Sequence, residues 1–196
     1  VSFGFDSAVS IATDAIDRLH STASAHQRVM VIEVMGHKAG WIALHSGMAG
    51  GGDIILLPEI PFKIQNIGDT IINRLKKGKP YSIVVVAEGI PTVNGKKAAQ
   101  YIAEEIEYET GFETRETVLG YIQRGGSPTA FDRNLATRMG GHATELIAGG
   151  QFGRMVSLCG SEMTSVPLGE VAGKLKQVTE DHDLVVQGRR MGICFG

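Results

Sequence analysis

The chain has 196 residues, 43% of them apolar, with a formal net charge of −2. That length suits one or two globular domains with a real core, and the near-neutral charge excludes a dominant electrostatic attraction to nucleic acid. No stretch reaches the ~18 continuous apolar residues of a membrane span, and no signal-peptide pattern is visible.

In chain order, Asp6 is placed to cap a first helix whose Ala8, Ala12, Ala15, Ile16 and Leu19 share one face. The nearly continuous apolar run 29–34 predicts a buried strand. Residues 38–50 read as a helix despite their glycines, and 54–57 as a short buried strand ended by Pro58. Ile64, Ile67, Ile71 and Leu75 mark a helix that stops at Gly78. A strand at 82–87 follows, then a polar-faced helix at 96–111 and a strand at 116–122. A helix at 131–150 and a strand at 154–159 come next. Residues 170–180 suggest one more short helix, and the sequence gives no clear assignment after Asp181. The stretch 90–96 is the one obvious loop insertion.

Strands and helices alternate, so the expected fold is α/β, a largely parallel sheet with helices on both faces. In such sheets ligands collect beyond the carboxyl ends of the strands. Three segments fall there: Met35-Gly36-His37-Lys38, Glu88-Gly89 and Gln123-Arg124-Gly125-Gly126. Arg124 reads either as a phosphate clamp or as a solvated arginine at a tight turn. Glu88 reads as a hydroxyl acceptor or acid/base, or as a surface acid paired with a lysine; its place at the mouth of an apolar strand favours the former. Arg28 and Arg115 precede strands, at the opposite edge. They are surface arginines, or they serve a pocket on a neighbouring subunit.

Other signals are weaker. The run 49–53 lacks dinucleotide-loop spacing, and no P-loop or Ser-centred elbow occurs. The six histidines show no ligand spacing, and Cys159 and Cys194 read as reduced thiols of a cytoplasmic protein. The basic 76–79 reads first as a helix end and second as an anion-effector site. Asp132-Arg133 reads as a first-turn charge pair.

Two long ungapped stretches, AIDRLHSTASAHQRVMVIEVMGHKAGWIALHSGMAGG and ETRETVLGYIQRGGSPTAFDRNLATRMG, resemble the 6-phosphofructokinase family, in its sugar-phosphate-binding C-terminal half. The style is closest to the branch mixing ATP-dependent and pyrophosphate-dependent enzymes. The resemblance implies phosphoryl transfer to the 1-hydroxyl of fructose 6-phosphate in glycolysis, with Mg2+ and ATP or pyrophosphate. It implies that Met35, Gly36 and His37 line the sugar site and that Glu88 holds sugar hydroxyls. It also implies that Tyr121, Ile122, Gln123 and Arg124 grip the 6-phosphate. Arg28 and Arg115 match arginines that enter the site of an adjacent subunit, which implies a homo-oligomer, dimer or tetramer. By the same resemblance residues 1–123 form the sugar-phosphate-binding domain, 124–166 return to a nucleotide-binding domain, and 167–196 are a C-terminal tail.

The departures are His37 where many bacterial ATP-dependent members carry arginine, Tyr121 in place of a histidine, and His20 in place of an effector-site arginine. Lys77 and Lys79 match effector-site lysines, and Asp53 a magnesium-linked acid. The family's glycine-rich nucleotide loop and its T-I-D-N-D segment, with the general base, are expected before Val1. The chain is therefore expected to be a fragment, inactive alone and without catalytic or metal-ligating residues of its own. A non-catalytic sugar-phosphate-binding subunit is the competing expectation.

Overall fold

In the computed structural model, which describes residues 2–92 and 95–196, the chain divides into two compact units. One comprises residues 9–125 and 177–196, the other residues 1–8 and 126–176.

The larger unit is built on four parallel strands, β1 (Val29–Val34), β2 (Ile54–Leu56), β3 (Ser82–Ala87) and β4 (Thr114–Val118), in the order β2-β3-β1-β4. The β1 and β3 strands are buried along their whole length, which is why their sequences read as unbroken apolar runs. Alternation at period two sends their side chains to opposite faces. Met30, Ile32, Val34, Ile83 and Val85 join the core under α1 (Phe5–His26) and α2 (Trp41–Ala49). Val29, Val31, Val84 and Val86 join the core under α3 (Ile64–Lys76) and α4 (Ala98–Thr110). Right-handed crossovers that move in opposite directions across a sheet must lie on opposite faces. The chain leaves β1 over one face toward β2 and leaves β3 over the other face toward β4. The carboxyl ends of β1 and β3 are neighbours, with Val34 beside Ala87. A crevice therefore opens between them, at the topological switch point.

The smaller unit pairs β5 (Arg154–Cys159) with β6 (Glu162–Pro167) as an antiparallel hairpin. It also holds α5 (Ala130–Ala148) and the single turn α6 (Leu168–Val171). Thr129 caps α5, its Oγ1 accepting the Asp132 N–H at 3.3 Å.

Several expectations change. The strand predicted at 116–122 is Thr114–Val118, followed by a 3-10 turn at Gly120–Arg124, so Arg115 lies inside β4 rather than before it. The helix predicted from 38 begins at Trp41, because Gly36 to Gly40 form a loop whose Gly36, His37 and Gly40 N–H groups donate to side-chain carboxylates. Asp6 sits in the first turn of α1 and accepts the Thr129 hydroxyl at 2.7 Å instead of capping its own helix. Asp132 is buried and takes both the N–H and the hydroxyl of Ser7, at 2.7 and 2.5 Å, while Arg133 donates to the Pro128 carbonyl. The strand 154–159 pairs with β6 and not with the parallel sheet. Beyond α6 the chain is irregular until α7 (Asp183–Met191), whose Val185 and Gly188 are buried in the larger unit. Within the predicted loop 90–96, Val93 and Asn94 lie outside the described residues.

Candidate functional site

At the crevice between β1 and β3 lies a cavity of about 420 Å3, within the usual range for small-molecule sites. His37 and Lys38 line it from the loop after β1, and Glu88 from the residue after β3. Lys96 and Lys97 approach from the segment before α4, and Glu33 from within β1. The wall is polar and carries Lys38, Lys96 and Lys97 against Glu33 and Glu88, with Lys96 paired to Glu104.

The loop after β1 is held in an unusual backbone shape. His37 has φ +55°, in the left-handed region that a side chain disfavours. Two partners offset that strain. Glu88 Oε1 accepts the N–H groups of Gly36 at 3.1 Å and His37 at 2.6 Å. Gln123 Oε1 accepts the Met35 N–H at 2.7 Å. Gly89 is required beside them, since a Cβ there would run into the His37 carbonyl.

Gln123 is buried, and its Nε2 has no hydrogen-bond partner. Its neighbours in the 3-10 turn face outward: Tyr121 and Ile122 are exposed, and the Arg124 guanidinium lies 5.9 Å from the Tyr121 ring centroid, within cation–π reach. Met35 and Gly36 are thus tied directly to Gln123 and Glu88, whereas Tyr121, Ile122 and Arg124 stand on the turn outside the lining of the cavity.

Arg28 and Arg115 lie at the amino ends of β1 and β4, separated from the cavity by the length of β1, ~20 Å at ~3.3 Å per residue. Both pair with Glu113, Arg28 Nε at 2.7 Å.

Of the groups matched to an effector site, His20 and Asp53 are engaged within the protein. His20 Nε2 lies 2.7 Å from the Gly50 carbonyl and Nδ1 3.2 Å from the Tyr81 hydroxyl. Asp53 pairs with Arg74 at 2.7 Å and accepts the Ile83 N–H at 3.0 Å. Lys77 and Lys79 are exposed. Among the described residues no three His, Cys, Asp or Glu side chains gather so as to hold a metal ion. No helix among them is long and apolar enough to cross a membrane.

Three participants escaped sequence reasoning. Glu33 is buried in β1, and its Oε2 accepts the Ala99 N–H at 2.9 Å. It thereby supplies the cap that Lys97 does not give to α4 and sets a negative charge against the positive helix end. An acid inside an apolar strand was the available signal. Lys96 ends the expected loop insertion 90–96 and Lys97 falls in the helix expected at 96–111, and nothing in their composition marks them as a cavity wall.

The sequence profile described as phosphofructokinase matches residues 1–147. The chain is 83% identical over 196 residues to the ATP-dependent 6-phosphofructokinase 3 of Bacteroides thetaiotaomicron, covering all of this chain and 58% of that protein. It is 47% identical over 194 residues to a pyrophosphate–fructose 6-phosphate 1-phosphotransferase of Streptomyces coelicolor, covering 90% of this chain and 56% of that one. Among solved structures, phosphofructokinase from Saccharomyces cerevisiae superposes with a TM-score of 0.77 at 31% identity, over 87% of this chain and 23% of the yeast chain. The pyrophosphate-dependent phosphofructokinase of Marinobacter aquaeolei shares the fold, with a TM-score of 0.78 at 24% identity over 97% of this chain and 51% of that one. The chain spans 58% of the length of the first of these curated relatives.

Proposed function

Because the chain belongs to the phosphofructokinase family, we propose that it forms the sugar-phosphate-binding part of an ATP-dependent 6-phosphofructokinase, a cytoplasmic phosphotransferase of glycolysis. The observation that carries this reading is the cavity at the switch point. Glu88 and the loop Met35-Gly36-His37 meet there under a lysine-rich wall.

Fructose 6-phosphate is a dianion with several hydroxyls. Glu88 uses Oε1 on the loop backbone, which leaves Oε2 to accept from a sugar hydroxyl. Arg124 supplies a charge-assisted hydrogen bond to the 6-phosphate, with the Tyr121 hydroxyl as a neutral donor beside it. Holding that remote phosphate fixes the 1-hydroxyl for attack, which is where binding energy contributes most to phosphoryl transfer. His37 and Lys38 stand at the cavity where a family arginine is expected, and Lys38 supplies a positive charge there. The general base, the Mg2+ ligands and the donor contacts are assigned to the length that relatives carry beyond this chain. Arg28 and Arg115 are assigned to the sugar site of a second subunit in a homo-oligomer, since they lie at the far edge from their own cavity.

The test is an assay of the full-length protein with fructose 6-phosphate and each donor. Turnover with ATP and not with pyrophosphate is expected. Turnover with pyrophosphate alone transfers the reading to the other donor, and no turnover with either sinks it.

A further inference from the structure

Glu113 is the residue immediately before β4, and its carboxylate is divided between two arginines. Arg28 Nε donates to Oε2 at 2.7 Å, and an Arg115 Nη donates to Oε1. The backbone fixes this arrangement. The Val29 N–H donates to the Glu113 carbonyl at 3.2 Å, and Val29 stands beside Thr114 in the sheet. The three side chains therefore spring from adjacent positions on one edge. The hydrogen bond from Arg28 is the largest influence on the Glu113 carboxyl, and with the charges of Arg115, Arg28 and His26 it outweighs burial and holds the group below the usual range. The carboxylate is thus ionised at neutral pH, and two guanidinium charges face one negative charge. The excess is positive, the spacing suits two oxygens of one anion, and the groups are partly open to solvent.

We propose that Glu113 is a built-in place-holder for an anion: it keeps Arg28 and Arg115 together and partly neutralised until a phosphate dianion displaces it. This rests on the reading that the two arginines take the phosphate of a sugar bound to a second subunit. Glu113 competes with that phosphate and sets how much of it is needed for binding. Two guanidinium groups left unpaired at an exposed edge would repel each other and attract any passing anion. A tethered carboxylate suppresses both effects while remaining displaceable, because exposed ion pairs are individually weak.

The experiment compares E113Q with R28Q and R115Q in the full-length protein. Its readouts are the KM for fructose 6-phosphate, the Kd for inorganic phosphate as the probe, and the melting temperature as a fold check. Glutamine keeps the shape of the side chain and removes its charge. E113Q is expected to lower both KM and the phosphate Kd about three- to tenfold, the size expected when two exposed ion pairs no longer compete. The effect should appear in KM and not in kcat. R28Q and R115Q should raise KM. If they do and E113Q leaves KM unchanged or raises it, Glu113 is only a brace that aligns the arginines, and the place-holder role is overturned while the reading of the arginines stands. If R28Q and R115Q leave KM unchanged, the reading of the arginines fails and the place-holder role fails with it. E113D, which keeps the charge, should behave as the native protein and separates loss of charge from loss of fold.

Discussion

The Glu88 carboxylate and the His37 backbone N–H meet at 2.6 Å across the carboxyl ends of β3 and β1, and the same Oε1 takes the Gly36 N–H. A site acid is therefore also the support of the loop it faces. Hydrogen bonds to an ionised acceptor are the strong ones, and here they stabilise a left-handed residue that would otherwise relax.

Replacing Glu88 by alanine removes both bonds and frees His37 to leave the left-handed region. We expect a stability loss of ~1–3 kcal/mol, the usual effect of orphaned partners, together with a marked fall in kcat/KM. Glutamine keeps an oxygen in place, so E88Q should retain most of the stability while still losing kcat/KM. Urea unfolding and steady-state kinetics on the same two variants separate the contributions. Equal stability losses would show that the charge, and not the acceptor geometry, holds the loop.

Arg124 stands on the 3-10 turn beside the Tyr121 ring, exposed and with no ion-pair partner among the described residues. Arg124→Ala should weaken fructose 6-phosphate binding by ~2 kcal/mol, the size of a lost hydrogen bond to a charged group, with little change in unfolding midpoint. Gln123→Ala should do the reverse in part. It removes the acceptor for the Met35 N–H and empties a buried position, so stability should fall along with affinity. Equilibrium titration of both variants with fructose 6-phosphate checks the contrast; unchanged affinity in R124A removes that residue from the phosphate site.

Much of this arrangement was legible in the sequence, for a physical reason. Unbroken apolar runs such as 82–87 can only be central strands of a covered sheet, and the residue that ends such a run is delivered to the ligand edge. Glu88 and His37 were placed at that edge by this logic, whereas Gln123 was expected directly after a strand at 116–122 and lies on the turn instead. The turn at 120–124 was not legible, because an apolar stretch continuing past Val118 looks the same whether extended or wound into a 3-10 turn. Glu33 was hidden because its partner, the Ala99 N–H, is brought near only when α4 crosses over β1. The hairpin partner β6 has a weak alternation, and α7 starts after His182, whose side chain makes no cap hydrogen bond. Glu113 could not be read as a bridge between arginines until the register set Val29 beside Thr114.

Glu59 joins two distant segments. Its carboxylate accepts the Gly40 N–H at 2.9 and 3.1 Å, just before α2, and the Val178 N–H at 3.1 Å. Val178 is buried, so this bond pins the irregular stretch 177–182 within the larger unit. Glu59→Ala should destabilise the protein by ~1–3 kcal/mol and speed proteolysis within residues 172–182. Limited digestion followed by mass spectrometry locates the cut. An unchanged digestion pattern would show that packing of Val178 alone holds the segment.

The pH dependence of stability follows from the ring cluster at the start of α2. Trp41, the chain's single tryptophan, lies 5.1 Å from the His182 ring and 6.3 Å from that of His45. Burial, then the charge of His182, pushes His45 below the ordinary histidine value of 6.5. The folded state therefore binds the proton less well than the unfolded state, and the unfolded state gains protons first as pH falls. The stability associated with neutral His45 is full above pH ~7 and is lost as pH drops through the unfolded value of ~6.5 toward the lower folded one. The unfolding midpoint followed by Trp41 fluorescence should fall between pH 7.5 and pH 5.5. Other groups titrate in that interval too, so the decisive comparison is His45→Gln, which cannot take up the proton. That variant should show a shallower dependence over the same range, and an identical slope would remove His45 from the account.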